Sequence, residues 1–241
     1  MKPTLKAIWH RCLLCLQSTE QVICPLCLAD CGFVNAPLLT QDLVEFNLND
    51  TTEHFAHDVI VNAKFDGLWV LDIYQYPLSV LIPKLKFYQQ PHLARLMAQW
   101  FILHRVVHMD SLPDVLIPIP IHWRRMWRRG YNQSQLLCDE LSRCLKIPYL
   151  ENAVIRKHYT KPQSELNLDA RRANIKGVFR VDIQAFKDVS HIAIVDDVIT
   201  TGTTMNDLCR SIYQVAPHIK ITVWCMGLSV YEPADDKAVG K

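Results

Sequence analysis

No stretch of this chain runs uncharged for the roughly 20 apolar residues that a helix needs to cross a bilayer, so a helical membrane span is excluded. The start, MKPTLKAIWHRCLLC, lacks the long apolar core and the small-residue cleavage site of a secretory signal. Net charge is scarce too, only +2 over 241 residues. Bulk electrostatics therefore select no partner, and affinity for a polyanion has to come from a local patch. Also missing are G-x-G-x-x-G and any Gly-Lys-Ser/Thr loop end, which excludes the dinucleotide and P-loop fingerprints. Half of the residues are apolar and 21% are charged, enough for a real core and inconsistent with wholesale disorder. The expectation is a soluble protein of the cytoplasm without membrane insertion, either one large domain or a core with a small appendage.

What is present is concentrated in three places. The first is His191–Met205, HIAIVDDVITTGTTM. The apolar run Ile192–Val195 suffices for one buried strand, and it ends in two adjacent carboxylates, Asp196 and Asp197. After two apolar residues come Thr200, Thr201, Gly202, Thr203 and Thr204, then a helix expected over Met205–Val215. A strand that passes through a hydroxyl-rich, glycine-bearing turn into a helix offers backbone N–H groups and a positive helix end to an anion. Alternation along the strand sends the two Asp side chains to opposite faces, so one follows the loop's ligand and its neighbour points elsewhere. Phosphate in the turn and ribose hydroxyls or hydrated Mg²⁺ on the acids would suit a phosphorylated sugar. The segment resembles the motif with which phosphoribosyltransferases bind phosphoribosyl pyrophosphate (PRPP). Without that ligand it would be a strand and turn with a hydrophilic rim.

The second place is a cysteine cluster. Five of the nine cysteines fall within twenty positions, Cys12, Cys15, Cys24, Cys27 and Cys31, whereas Cys138, Cys144, Cys209 and Cys225 are scattered through apolar surroundings as reduced core residues. Cys12-Leu-Leu-Cys15 and Cys24-Pro-Leu-Cys27 are two C-x-x-C pairs with eight residues between them. Two such knuckles satisfy tetrahedral Zn²⁺ in a closed site, which implies a structural role. Cys31 and His10 are spare candidates. A disulfide pair or free thiols are the alternatives.

The third is His122–Asn132, HWRRMWRRGYN. Four arginines in six positions, Arg124, Arg125, Arg128 and Arg129, are interleaved with Trp123, Trp127 and Tyr131 in the most basic stretch of the chain. Bidentate, permanently charged donors suit pyrophosphate. Cations for phosphates and rings for bases suit single-stranded DNA equally. An exposed basic loop with inward-packed Trp residues is the third alternative.

The elements around these places alternate. Asp114–Pro120, Ala153–Arg156, Ile192–Val195 and Ile219–Met226 read as short apolar strands, and Leu93–Val107 and Gln133–Cys144 as amphipathic helices. Strands buried along their whole length argue an α/β fold, a mainly parallel sheet flanked by helices on both faces. Val59–Phe65 and Leu68–Tyr76 flank Asp66-Gly67, a hairpin signal. A helix is expected from near Pro77, carrying Leu81 and Leu85. His92, His104 and His108 are read as surface or rim residues. The division expected is a zinc finger over 1–35, a linking hairpin and helices packed on the core over 36–110, the core over 111–231 and a flexible tail over 232–241.

With the Cys pairs, PIPIHWRRMWRRGYNQ and DDVITTGTT in this order, the chain resembles the ComF/GntX family of competence-associated phosphoribosyltransferase-like proteins. Ile82–Phe87 (IPKLKF) fits the family's I-x-x-L-K-aromatic segment. Gln163, Arg171-Arg172-Ala173-Asn174 and Lys176-Gly177-Val178-Phe179 fit its Q…R…N…GxF segment. The resemblance covers essentially Cys12 to Leu228. It implies a type I phosphoribosyltransferase fold with an N-terminal four-cysteine zinc finger, cytoplasmic location and a role in natural transformation, the uptake of DNA.

By position, the resemblance puts Asp196 and Asp197 on the ribose hydroxyls and the Mg²⁺ shell of PRPP, and Thr200–Thr204 on its 5′-phosphate. Arg124, Arg125, Arg128 and Arg129 fall where such folds bind pyrophosphate. Arg171 and Arg172 are read as a hood over the site or as a solvated helix face. Three functions compete: a PRPP/Mg²⁺-binding protein that handles incoming single-stranded DNA, a transferase acting on an unknown acceptor, and a zinc-finger scaffold for a competence helicase or translocase partner. No residue has a strong claim to be the general base.

Overall fold

The computed structural model describes residues 11–31, 63–156 and 178–229. Its centre is a four-stranded sheet in which every pairing is parallel, in the order β1 (Gly67–Ile73), β6 (Lys220–Leu228), β5 (His191–Ile199) and β2 (Val115–Pro118). These strands are buried nearly throughout, as both faces are covered. On one face Ile192, Ile194 and Val223 pack with Leu208 and Ile212 of the helix after β5, α6 (Thr203–Tyr213). On the other face Ala193, Val195 and Trp224 pack against α2 (Leu78–Phe87), α3 (Leu93–His104) and α5 (Gln133–Leu145). The cysteine segment with α1 (Pro25–Asp30) belongs to this second layer, where Cys12, Ile23 and Cys27 join the cluster of Leu78 and Leu81. Among the described residues no helix is long and apolar enough to cross a membrane.

Three expectations from the sequence are corrected. Asp66-Gly67 turns no hairpin: β1 pairs in parallel with β6, and the described residues 63–66 form no strand. Asp66 instead brackets the strand ends, its carboxylate accepting from the Ile221 N–H and the Tyr213 hydroxyl at 2.7 and 2.8 Å. An apolar strand buried on both sides gains more inside the sheet than in an isolated two-stranded ribbon. The strand over Val154–Arg156, β3, lies outside the central sheet and pairs antiparallel with β4 (Phe179–Val181). The basic loop is the short helix α4 (Trp123–Arg129). Its residues carry good helix propensity, and both ends are capped. The His122 ring accepts the Arg124 N–H at 3.2 Å, and Gly130 closes the helix at φ 83°. The hood candidates Arg171 and Arg172, His10 and the tail lie outside the described residues.

Candidate functional site

Beyond the carboxyl ends of β2 and β5 opens a cleft of about 230 Å³, where open parallel sheets place their ligands. β2 stops opposite Val195, which leaves the last four residues of β5 with an open edge on that side. For that reason Asp196 and Asp197 both line the cleft, where alternation alone sent one of them away. The loop Thr200–Thr204 forms one wall, Arg125 and Arg129 of α4 another, with Gln133 and Ser134 from α5, Lys86 from α2 and Arg156 from β3.

The loop is built to turn. Gly202 has φ 67°, a left-handed conformation that costs a side-chain-bearing residue, and its carbonyl accepts the Asn206 N–H at 2.8 Å to start α6. The first turn of this 11-residue helix contains no acid, and the Thr201 and Thr203 hydroxyls lie 3.0 Å apart beside it. N–H groups and hydroxyls in this arrangement can accept an anion.

The two acids face it. Asp197 is buried, with Oδ1 2.8 Å from the Lys86 ammonium. The Asp196 Oδ1 accepts from the Asp197 N–H at 2.8 Å and from the Ser134 hydroxyl at 3.2 Å. Burial, reinforced by the Asp197 charge, pushes the Asp196 carboxyl up to about 7, and the Asp197 N–H, Lys86 and Ser134 offset only part of that. A cation entering the cleft would favour the ionised form of Asp196. The donor set of the two acids, carboxylate oxygen with room for water, fits a hydrated Mg²⁺.

Helical periodicity divides the basic segment. At 100° per residue, Arg125 and Arg129 share the face that lines the cleft, while Arg124 with Arg128 and Trp123 with Trp127 occupy two others. Arg129 donates to Gln133 Oε1 at 3.0 Å, and its guanidinium lies 5.0 Å from the centre of the Phe87 ring. Arg129 Nε and Gln133 Nε2 are buried without a hydrogen-bond partner among the described residues. Buried donors normally find acceptors, so these two depart from the usual pairing at the wall of the cleft. Trp123 and Trp127 are 62% and 88% exposed, which excludes the inward-packed alternative. Tyr131 is turned away, its hydroxyl donating to the Leu85 carbonyl. Asn132 caps α5 through the Ser134 N–H and donates to the Ile119 carbonyl at 3.0 Å, tying α4 and α5 to the end of β2.

Lys86, Gln133, Ser134 and Arg156 are cleft residues for which the sequence reading assigned no role. Lys86 and Gln133 stand in the IPKLKF and RRGYNQ segments, which was the available signal. Nothing local marked Ser134 or Arg156.

The Sγ atoms of Cys12, Cys15, Cys24 and Cys27 lie within 4.8 Å of one another, and those of Cys15 and Cys24 are 3.7 Å apart. Tetrahedral zinc with bonds of about 2.3 Å requires sulfur separations of about 3.8 Å. The Leu14 and Cys24 N–H groups donate to the Cys12 sulfur, each at 3.4 Å. Burial raises the Cys12 thiol, but the Cys15, Cys24 and Leu14 N–H groups, with the Cys15 side chain, outweigh it and bring the group down to about 6. Burial and the neighbouring sulfurs push Cys27 up to about 12. Four such thiols ionise together only around a cation. The donor set fits a closed zinc site. Cys31 stands outside the group and donates to the Cys27 carbonyl at 3.0 Å.

No protein-family model matches the chain. Over 177 residues it is 35% identical to competence protein F of Haemophilus influenzae, covering 71% of this chain and 77% of the relative. The chain belongs to the competence protein F family. This family member is also 37% identical over 158 residues to the DNA utilization protein YhgH of Escherichia coli O157:H7, covering 64% and 68% of the two chains. Among solved structures it is similar to an adenine phosphoribosyltransferase, with a TM-score of 0.37 and 14% identity over 60% of this chain and 83% of the other. A Trypanosoma brucei adenine phosphoribosyltransferase in complex with AMP, pyrophosphate and ribose-5-phosphate also gives a TM-score of 0.37, at 12% identity over 64% and 76%.

Proposed function

We propose that this competence protein F family member binds PRPP with Mg²⁺ and handles incoming single-stranded DNA in the cytoplasm during natural transformation. One observation carries the ligand. The Gly202 turn and its hydroxyls face Arg125, Arg129 and two carboxylates across a single cleft, at the ends of parallel strands. That arrangement supports a type I phosphoribosyltransferase fold. Thr200–Thr204 would take the 5′-phosphate, Asp196 and Asp197 the ribose hydroxyls and the hydrated Mg²⁺, and Arg125 and Arg129 the pyrophosphate. The names of the relatives, competence protein F and DNA utilization protein, support the DNA role. The cysteine group would hold one structural zinc. Calorimetry with Mg-PRPP tests the ligand: 1:1 binding is expected, weakened at least about tenfold in Asp197→Asn. Absence of heat across several temperatures, with Mg-PRPP failing to raise the melting temperature, overturns it.

The guanidinium groups of Arg125 and Arg129 on the cleft wall favour a second reading, transfer of the phosphoribosyl group to an acceptor. They would stabilise departing pyrophosphate. Pyrophosphate release from Mg-PRPP incubated with cell metabolites, absent with Asp197→Asn, would establish it. Docking of a helicase or translocase is supported by Leu16 and Leu26 beside the cysteines, 62% and 71% exposed. A pull-down that depends on Cys24 tests it.

A further inference from the structure

We propose that α4 carries two binding faces at once. Arg125 and Arg129 hold an anion in the cleft while Trp123, Trp127, Arg124 and Arg128 hold single-stranded DNA outside it, so filling the cleft strengthens DNA binding instead of displacing it. The inference rests on the phosphoribosyl and DNA reading above and assigns the two ligands to different residues of one helix.

The helical period carries the first part. Residues four apart lie on one side of a helix, and neighbours lie about 100° apart. Only the Arg125–Arg129 side lines the cleft. The other two sides present a pair of indole rings and a pair of guanidinium groups to solvent, with the Arg124 guanidinium 5.3 Å from the Trp123 ring centre. Trp is rarely left this exposed by packing alone. Rings for bases beside permanent cations for phosphates is the chemistry that grips a single strand without sequence preference. An acidic protein segment would satisfy the cations and leave the two rings without stacking partners.

The stability of α4 carries the second part. It has seven residues, none of them buried, and an isolated helix of that length is marginal in water. It is held by its two caps and by Arg129, which reaches Gln133 and the Phe87 ring. Gln133 is 1% exposed and lines the cleft together with Arg125 and Arg129. An anion that accepts from the Arg125 and Arg129 guanidinium groups adds charge-assisted bonds along one side of the helix. The outer side is then ordered before DNA arrives, and DNA binding loses less conformational entropy. By linkage the anion gains the same factor from DNA.

Fluorescence anisotropy of a labelled thymidine oligonucleotide, with and without inorganic pyrophosphate and Mg²⁺ at matched ionic strength, tests this directly. A several-fold tighter complex with pyrophosphate is expected. Trp123→Ala/Trp127→Ala should weaken oligonucleotide binding at least about tenfold, in line with the loss of stacking. Calorimetric pyrophosphate affinity should stay unchanged in that variant, and circular dichroism checks its fold. Displacement of the oligonucleotide by pyrophosphate, or an unchanged affinity, overturns the two-face arrangement and leaves the DNA reading standing. No oligonucleotide binding under either condition overturns the DNA reading and the inference with it.

Discussion

The Lys86 ammonium lies 2.8 Å from Asp197 Oδ1, so the cleft supplies its own cation to one of its two carboxylates. Two residues earlier on the same helix, Lys84 donates to the Leu13 carbonyl at 2.8 Å. α2 therefore reaches the cysteine segment with one lysine and the acid pair with the other.

Lys86→Met should expose this dependence. It leaves Asp197 buried beside Asp196 without the ammonium, and the expected loss is about 1.5–3 kcal/mol by urea denaturation, the range for hydrogen bonds to charged groups. Mn²⁺ should recover part of the loss and bind the variant more tightly than the wild type in an electron paramagnetic resonance titration, because it no longer competes with the lysine. Equal Mn²⁺ affinity in the two proteins would refute the competition.

The acids also set a pH dependence. Asp196 is raised in the folded protein to about 7, against about 4 for an unfolded carboxyl. Between those values the folded state holds a proton that the unfolded state has lost, so this contribution to stability is complete below pH 4 and is lost as pH rises toward 7. Asp196→Asn should remove that decline from melting curves recorded across the interval. Asp114 works in the opposite direction. Hydrogen bonds from the Ser190 hydroxyl and the His191 and Ser190 N–H groups hold it below the ordinary carboxylate range. Its stabilisation is present above the unfolded value and lost as pH falls through the folded one. Burial lowers His122 and His191, and each also costs stability as pH drops below about 6.5. Asp114→Asn should flatten the acid limb without touching the neutral one.

Zinc analysis of the purified protein should find one ion per chain. Cys24→Ser, or a strong chelator, should release it and lower the melting temperature by at least about 4 °C, the shift of one to two kcal/mol in a chain of this size. Because Cys12, Ile23 and Cys27 pack with Leu78 and Leu81, hydrogen exchange should quicken in α2 before it does in β5 and β6. Uniform exchange throughout the chain would contradict that coupling.

Asn132 joins a helix cap to the carbonyl of Ile119 at the end of β2. Asn132→Ala should cost about 1–2 kcal/mol, typical for a lost cap, and should also weaken anion binding, since Gln133 follows directly. Asn132→Asp should restore the cap and most of the stability but not the donor to Ile119. Full stability in the alanine variant would show that α5 needs no cap.

Local chemistry made much of this legible. Asp196-Asp197 followed by Thr200–Thr204 could be read as the end of a buried strand and a turn into a helix because the three are adjacent in the chain. The two C-x-x-C pairs could be read as a metal group because each knuckle is a local turn. Asp66-Gly67 misled for the same reason. A turn signal describes four residues, while the partner of β1 is β6, some 150 residues away.

The sequence by itself determined which groups are available: a hydroxyl-rich glycine turn, paired acids, four close thiols, and a run of alternating cations and indoles. It determined the parallel sheet as well, because strands apolar on both faces must be covered on both. Only the tertiary structure decided what those groups face. It turned Arg125 and Arg129 into the cleft and Trp123 and Trp127 out of it, set Lys86 on Asp197, and left the end of β5 open so that both acids line one cleft. The physical reason is that a side chain's direction follows from the period of its element and from what packs beside it. The period appears in the chain only once the element is known to be a helix, and the packing comes from segments far away in sequence.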